Sequence, residues 1–224
     1  IVLFIIFASF LEQSGIGAFF VDLANSIAGK SIGGPAKVAV ISSAMEGMYS
    51  GSSVANTVGS GSVTIPTMKR CGYKPEFAAA VEAAASTGGQ IMPPIMGAAA
   101  FLMAETLGVE YSNVVVRAIL PAVLYFAGVF ITVHLEAKKE GLKGLTKEEL
   151  PRLLPLLKKT YLLLPIILLV YLVGTSTKSI AYAAAIAIVV AIAVSMFDKK
   201  TRITPKRLFE ALAAGGQSMI TVAV

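Results

Sequence analysis

Uncharged runs alternate with short charged segments along this chain, and several runs are long enough to cross a lipid bilayer. The clearest cover residues 83–104, 118–135, 160–177 and 179–197, and the chain opens inside another at residues 1–11. A helix needs about 20 predominantly apolar residues to span the hydrocarbon core. The pattern therefore predicts an all-α integral membrane protein with several transmembrane helices.

The uncharged segment 47–68 has a different character, because its polarity comes from Gly, Ser, Thr and Asn. Small residues and hydroxyls at this density suit backbone that lines a cavity inside protein. Two helical arms of about fourteen residues reach only about 21 Å each, against a hydrocarbon core of about 30 Å. Residues 36–68 are therefore predicted to form a re-entrant hairpin with a non-helical tip at residues 50–56. A single Gly-rich span is the alternative.

The flanks of this segment support re-entry, since Lys and Arg mark cytoplasmic loops. Basic residues stand on both sides of it: Lys30, Lys37, Lys69, Arg70 and Lys74. If the hairpin returns to the cytoplasmic face, all of the 19 Lys and Arg residues except Arg117 and Lys178 lie in the cytoplasm. The net charge of +6 is thus explained by membrane topology and not by nucleic-acid binding.

A second irregular segment, STGGQIMPP at residues 86–94, follows a helix that begins at Pro75. Two prolines remove backbone hydrogen bonds and obstruct the preceding turn. The helix is therefore predicted to break between Thr87 and Pro94, facing the hairpin tip. Broken helices expose carbonyls at one end and amides at the other, which is where transporters bind cations and anions. A proline kink satisfied by its neighbours is the alternative.

These elements predict the following organisation along a chain that is expected to be a fragment of a longer protein. A transmembrane helix and a short amphipathic helix occupy residues 1–35, and the hairpin occupies residues 36–68. The broken helix and a further transmembrane helix follow at 75–138, with a cytoplasmic loop at 139–159. Two transmembrane helices lie at 160–197, and a cytoplasmic loop leads into a second repeat at 198–224.

Four motifs, taken in order, resemble one family of membrane proteins: SGSSVAN, TIPTMKRCGY, PEFAAAVEAAASTGGQIMPP and MGAAAFLMAETLGV. They are similar to the large membrane subunit of TRAP transporters, and more narrowly to the fused permeases that work with TAXI-type binding proteins. The resemblance implies a sodium-driven symporter of organic anions with an elevator-type fold of inverted repeats, of which this chain holds the first. Glu46 departs from the family's pattern, which has an apolar or small residue there.

The resemblance and the chemistry of the residues indicate the same candidate site. Uncharged oxygen ligands suit Na⁺ without fixing a negative charge in the membrane. The expected hairpin-tip ligands of sodium and substrate are Ser50, Gly51, Ser52, Ser53 and Asn56. Those of the broken helix are Ser86, Thr87, Gly88, Gly89, Gln90, Pro93 and Pro94. Glu82 is the ionisable residue expected inside the membrane, either in an ion-binding role or simply hydrated or paired.

The resemblance further implies several partners and a location. The expected partners are a periplasmic solute-binding protein, a fused small-subunit segment, an organic anion and the bilayer of a bacterial or archaeal cytoplasmic membrane. No nucleic acid and no cofactor other than the coupling ion Na⁺ are expected. An ion channel and a membrane-embedded enzyme remain the rival functions, although the chain has one His, and an enzyme would need a metal or acid–base cluster.

Overall fold

The computed structural model describes residues 2–146, 148–151, 153–175, 179–197 and 201–223. Within these ranges the chain is helical and contains no strand, which confirms the predicted all-α fold. Lys178, predicted to face outside, lies outside the described residues. The α-helices are α1 (Val2–Gln13), α2 (Ile16–Ala28), α3 (Gly34–Ser50), α4 (Ser53–Gly59), α5 (Gly61–Arg70), α6 (Pro75–Gly88), α7 (Ala98–Leu107), α8 (Tyr111–Lys139), α9 (Leu153–Leu157), α10 (Leu164–Gly174), α11 (Ile180–Ser195) and α12 (Pro205–Ala223).

Two helical segments of the described chain are long and apolar enough to cross a membrane, namely Tyr111–Lys139 and Pro155–Gly174. The bent pair of α1 and α2 passes the same test only when taken together, and α11 is apolar but shorter. The helix predicted to leave the cytoplasm at Pro75 is divided into α6, a 3₁₀ turn at Gly89–Ile91 and α7. None of these pieces passes the length test for a spanning helix alone.

The chain divides into two compact units, and the first consists of residues 1–16, 98–114 and 158–224. In this unit α1 packs against α11 and α12, and α10 packs against α11. Phe101 stacks on Tyr111 with ring centroids 4.3 Å apart, and Phe4 lies 5.2 Å from Phe101. Apolar and aromatic side chains therefore hold these helices together.

The second unit, residues 17–97 and 115–157, contains both irregular segments singled out in the sequence. Helix α6 packs against α3 and α5 through small side chains, which let the helix backbones approach closely. The core of the unit is built from Ala36, Ala39, Val40, Met68, Tyr73, Ala78, Val81, Ala85, Val133 and Ala137. Close packing of α3, α5 and α6 places the hairpin directly beside the broken helix.

The first arm of the hairpin begins at a sharp turn. Gly33 has a positive φ of 70°, and Pro35 stands in the first turn of α3, where its missing amide hydrogen costs no hydrogen bond. Lys37, expected on the basic flank, is buried in the structure, with only 6% of its surface exposed. Its Nζ donates to Ser31 Oγ at 3.2 Å and lies 5.3 Å from the centre of the Phe130 ring. The aromatic face and the hydroxyl stabilise this ammonium group.

Candidate functional site

The hairpin tip is shorter than the sequence predicts. Only Gly51 and Ser52 lie outside helices. The expectation of a non-helical segment over residues 50–56 is therefore wrong for Ser50, which ends α3, and for residues 53–56, which belong to α4. The reason is local, because the Ser52 side chain accepts a hydrogen bond from the Ala55 amide at 3.3 Å and so caps α4 at once. Gly51 ends α3 with φ 58°, a conformation that glycine adopts without steric cost.

Asn56 organises the interior of the tip. Its side chain is almost completely buried, with 1% of its surface exposed. The Ser50 hydroxyl donates to Asn56 Oδ1, and Asn56 Nδ2 donates to the Ser43 carbonyl oxygen at 3.4 Å. The amide therefore joins the end of α3 to the first turn of α4, and both of its polar atoms are used.

The hairpin and the broken helix touch through backbone. A Cβ atom at Gly47 would overlap the Cα of Gly89, and one at Gly89 would lie 2.5 Å from Asn56 Nδ2. At the tip, a Cβ on Gly51 would overlap the carbonyl oxygen of Met96. These approaches require glycine, because any side chain at these points would separate the two segments.

Polar contacts complete this junction. Gln90 Nε2 donates to Ser53 Oγ at 3.1 Å, and the Ile95 amide donates to the Met48 carbonyl at 3.4 Å. The Gly97 amide closes the irregular segment by donating to the Gln90 carbonyl at 2.7 Å. Gly89 and Gln90 are thus the members of the predicted broken-helix set that meet the tip.

Other members of that set point elsewhere. The Ser86 hydroxyl donates to Glu82 Oε1 at 3.2 Å, and the exposed Thr87 hydroxyl donates to the Ala83 carbonyl at 2.7 Å. Gly88 faces the Tyr125 and Phe126 rings of α8, where a Cβ would lie 2.9 Å from Phe126 Cζ. Pro94 is buried, Pro93 is half-buried, and the peptide between them is cis.

Glu82 lies inside the second unit and is completely buried. Four hydroxyl groups donate to its carboxylate. Ser60 Oγ and Ser43 Oγ lie 2.6 and 2.8 Å from Oε1, Ser86 Oγ lies 3.2 Å from Oε1, and the Thr64 hydroxyl binds Oε2. No salt bridge among the described residues includes Glu82.

The sequence analysis did not select Ser43, Ser60 and Thr64 as functional residues. The sequence does show two pairs of polar residues with helical spacing. Ser60 and Thr64 are four residues apart, as are Glu82 and Ser86, so each pair shares a helix face. What joins the two pairs is the packing of α5 on α6, and that packing is a property of the fold.

Glu46, at a position where the resemblance led us to expect an apolar or small residue, is also buried, with 3% of its surface exposed. Its carboxylate packs against two glycines, and Cβ atoms added at Gly17 and Gly59 would lie 3.3 and 3.1 Å from its two oxygens. The first arm is therefore buried at this depth although it carries an acidic residue there.

Taken together, the junction offers helix ends, hydroxyls and amides without a charged side chain at the tip itself. The carbonyl end of α3 and the amide end of α4 meet at Gly51 and Ser52. Such an arrangement can bind a small cation through oxygen atoms and an anion through amide groups.

Comparison with known proteins places the whole chain in one group. The family model described as "Tripartite ATP-independent periplasmic transporter, DctM component" matches residues 1–224. The "C4-dicarboxylate TRAP transporter large permease protein DctM" of Pseudomonas aeruginosa is 27% identical over 214 residues, covering 92% of this chain and 49% of that protein.

Two further relatives show similar identity over shorter stretches. The protein of the same name from Vibrio cholerae is 30% identical over 135 residues, or 59% of this chain and 30% of that protein. "Uncharacterized protein y4mL" of Sinorhizobium fredii is 30% identical over 160 residues, or 70% of this chain and 38% of that protein. The chain thus spans about half or less of the length of these curated relatives.

Proposed function

We propose, from the premise that this chain belongs to the DctM family of tripartite ATP-independent periplasmic transporters, that it is part of a sodium-coupled permease that imports an organic anion. The family and the apolar helices make the chain part of a multi-pass membrane protein of the secondary-transporter class. The coupling ion, the substrate and the partners are the proposed part.

The observation that carries this proposal is the junction between the hairpin tip and the broken helix. Asn56 is hydrogen-bonded to the first arm, and Gly89 packs against its side chain. The Gln90 side chain donates a hydrogen bond to Ser53. Two interrupted helices that meet through glycine backbone are the recurrent construction of ion and substrate sites in secondary transporters. Ordinary packing of two helices does not require that both helices be interrupted at the same place.

We place the sodium ion among the oxygen atoms of the tip, namely the carbonyls at the end of α3 and the side chains of Ser50, Ser52 and Asn56. A bound cation supplies the positive charge that a carboxylate needs, and it orders the tip. Sodium and substrate should therefore strengthen each other's binding by the same factor, corresponding to about 1–3 kcal/mol. Amide groups of Gln90 and of the first turn of α4 are the proposed donors to the substrate carboxylate.

The proposed substrate is a carboxylate, and the names of two relatives, which refer to C4-dicarboxylates, support that class. The proposed partners are a periplasmic solute-binding protein of the TAXI type, which delivers the anion, and a small membrane segment fused to the permease. The proposed location is the cytoplasmic membrane of a bacterium or archaeon.

The test is uptake into liposomes that contain the full-length permease, with candidate binding proteins and labelled carboxylates outside. A sodium gradient should drive accumulation above the external concentration, and a potassium gradient should not. Equilibration without accumulation would identify a channel. Accumulation that does not depend on the sodium gradient would contradict the proposed coupling of transport to sodium.

Point variants place the site within the protein. Ser52→Ala and Asn56→Ala should raise the sodium concentration for half-maximal uptake, because each removes an oxygen atom from the tip. Ser62→Ala is the matched control, since the exposed Ser62 hydroxyl donates only to the Gly59 carbonyl of its own hairpin. If both tip variants keep the sodium dependence of the Ser62→Ala protein, the cation does not bind at this tip.

A further inference from the structure

An apolar groove lies in the second unit between α3, the first arm of the hairpin, and α8. Its volume is about 450 Å³, within the range of roughly 300–1,000 Å³ that is usual for small-ligand sites. Every residue that lines it is apolar, and its walls include Ile41, Ala44 and Met45 of α3 and Phe126, Phe130 and Ile131 of α8. None of these residues belongs to the proposed sodium site.

One end of the groove is marked by a cation. Lys37 stands four residues before Ile41 and seven before Ala44, so it shares their face of α3. Its ammonium group lies 5.3 Å from the centre of the Phe130 ring, which lines the groove. The apolar walls therefore lead to a positive charge near the start of α3.

This ammonium group is buried without an anionic partner in the described chain. Only 6% of the surface of Lys37 is exposed, and no salt bridge between described residues includes it. Its Nζ donates to Ser31 Oγ at 3.2 Å, whereas an ammonium group has three hydrogens to donate. Because burying a charge is costly unless the charge is paired, an anionic oxygen at this end of the groove would stabilise Lys37.

The same end of the groove holds an unsatisfied nitrogen and further positive charge. His134 follows Phe130 by four residues on one face of α8, and its Nδ1 is buried with no hydrogen-bond partner in the part of the chain that the structure describes. Two exposed lysines flank this end, Lys30 in the turn before α3 and Lys138 in the last turn of α8. Neither lysine forms a salt bridge with a described residue. The charge at this end is thus complementary to an anion.

The length of the groove matches one leaflet of a bilayer. From Lys37 to Met45 the eight residues of α3 rise about 12 Å, and α8 rises by the same amount between Phe126 and His134. Half of the hydrocarbon core is about 15 Å thick. An apolar chain in the groove, with its anionic group beside Lys37, would therefore reach from the membrane surface almost to the midplane. The lysines at this end identify the leaflet as the cytoplasmic one.

Shape and charge together decide which molecule fits. Inside a membrane, lipid tails are as apolar as side chains, so the occupant of a groove is selected by packing. A groove that stays empty forfeits dispersion contacts along its walls. An apolar helix would supply these contacts but no anion for Lys37, whereas a free phosphate would supply the anion but leave the walls uncovered. A phospholipid supplies both.

We propose that this groove binds an anionic phospholipid of the cytoplasmic leaflet, with an acyl chain between α3 and α8 and the phosphate beside Lys37 and His134. The phosphate oxygens accept hydrogen bonds from Lys37 Nζ and from the imidazole ring, while Lys30 and Lys138 attract the anionic headgroup from the surface. The bound lipid connects the first arm of the hairpin to α8. Its binding requires neither sodium nor the transported anion, so it does not depend on the proposed function.

Lipid binding can be measured by native mass spectrometry of the full-length permease, stripped of lipid in detergent. The probes are dioleoylphosphatidylglycerol, dioleoylglycerol, which has the chains without the phosphate, and glycerol phosphate, which has the phosphate without the chains. The complete phospholipid should bind more tightly than either fragment by about tenfold or more, the effect of one hydrogen bond to a charged group. Equal binding of the phospholipid and of either fragment would overturn the proposal.

A substitution in the groove tests the position of the acyl chain. Ala44→Phe fills the groove and should remove one bound phosphatidylglycerol per permease from the spectrum. Ala185→Phe is the matched control, because Ala185 lies exposed on the apolar helix α11 of the first unit. If the two variants bind phosphatidylglycerol equally well, the lipid does not occupy this groove.

A second pair of variants tests the phosphate and covers the case in which Ala44→Phe does not fold. Lys37→Gln should weaken the binding of phosphatidylglycerol to the level of dioleoylglycerol, and Lys37→Arg should restore it, since a guanidinium group also binds phosphate. Unchanged binding of phosphatidylglycerol to Lys37→Gln would refute the assignment of the phosphate to Lys37.

The remaining alternative is that another part of the full-length protein covers the groove. Met45→Cys in a Cys71→Ser background should react with a lipid-soluble maleimide in the stripped permease, and phosphatidylglycerol should slow that reaction. The modified peptide is identified by mass spectrometry. A thiol at position 45 that does not react in the stripped protein would show that protein covers the groove, and this result would overturn the proposal.

Discussion

A single methyl group at Gly47 should separate the hairpin from the broken helix. In the structure, a Cβ atom at this position would overlap Gly89 Cα and would lie 2.9 Å from the Gly89 carbonyl oxygen. Both of these neighbours are backbone atoms, which cannot turn aside as a flexible side chain would. Gly47→Ala must therefore push the Gly89 backbone away from α3.

The size of the effect follows from two opposing contributions. Forcing an extra carbon into a well-packed interior costs about 1–3 kcal/mol. Replacing glycine by alanine within a helix stabilises the folded state by about 0.4–1 kcal/mol where space allows, chiefly by restricting the unfolded chain. Gly128 lies in α8, and a Cβ there would meet nothing within 4 Å. Gly128→Ala should thus gain stability where Gly47→Ala loses it, with about 2 kcal/mol between the two variants.

Thermal unfolding of the full-length permease in detergent, followed by size-exclusion chromatography of heated samples, compares the two variants directly. Gly47→Ala should unfold several degrees below Gly128→Ala and should also need more sodium for half-maximal uptake, because Gly89 would no longer contact Asn56. If the two variants unfold at the same temperature, the close approach of Gly47 and Gly89 does not exist in the folded protein.

Two further predictions concern the surface of the second unit. Cysteines placed at the exposed positions Lys30 and Lys69 should react with an impermeant thiol reagent from the same side of the membrane, and labelling from opposite sides would refute the re-entrant hairpin. The pKa of Cys71 is raised by burial and by the nearby Glu149 carboxylate, and Arg70 lowers it by a smaller amount. Glu149→Gln should lower that pKa, enlarge the thiolate fraction at neutral pH and accelerate maleimide modification of the Cys71 peptide measured by mass spectrometry. An unchanged rate would contradict this account.

The sequence was sufficient to predict the all-α fold, and the places where helices are interrupted follow from local chemistry. Two prolines and two glycines within residues 86–94 cannot continue a regular helix, and α6 ends at Gly88. The predicted tip was too long because the same serine-rich stretch also contains a residue that starts the next helix. Ser52 is a strong N-cap residue, so only two residues, Gly51 and Ser52, separate α3 from α4.

The candidate site was predictable in part. Asn56, Gly89 and Gln90 lie at the tip as expected from their residue types, whereas the Thr87 hydroxyl donates within its own helix. Helical periodicity says which residues share a face of one helix, but it does not say which faces meet. The partners of Glu82 illustrate this limit, because Ser43 is separated from it by 39 positions and is brought to it only by the packing of α3 on α6.

The same packing gives the hydroxyl cluster a consequence for the motion of the hairpin. Glu82 on α6 is hydrogen-bonded at once to Ser43 on the first arm and to Thr64 on the second, so moving either arm away from α6 would leave a buried carboxylate short of donors. An unsatisfied charged group of this kind costs more than an ordinary hydrogen bond. These hydrogen bonds therefore hold the two arms and α6 together, and any opening of the tip should occur between Ser43 and Ser60, on the tip side of these contacts.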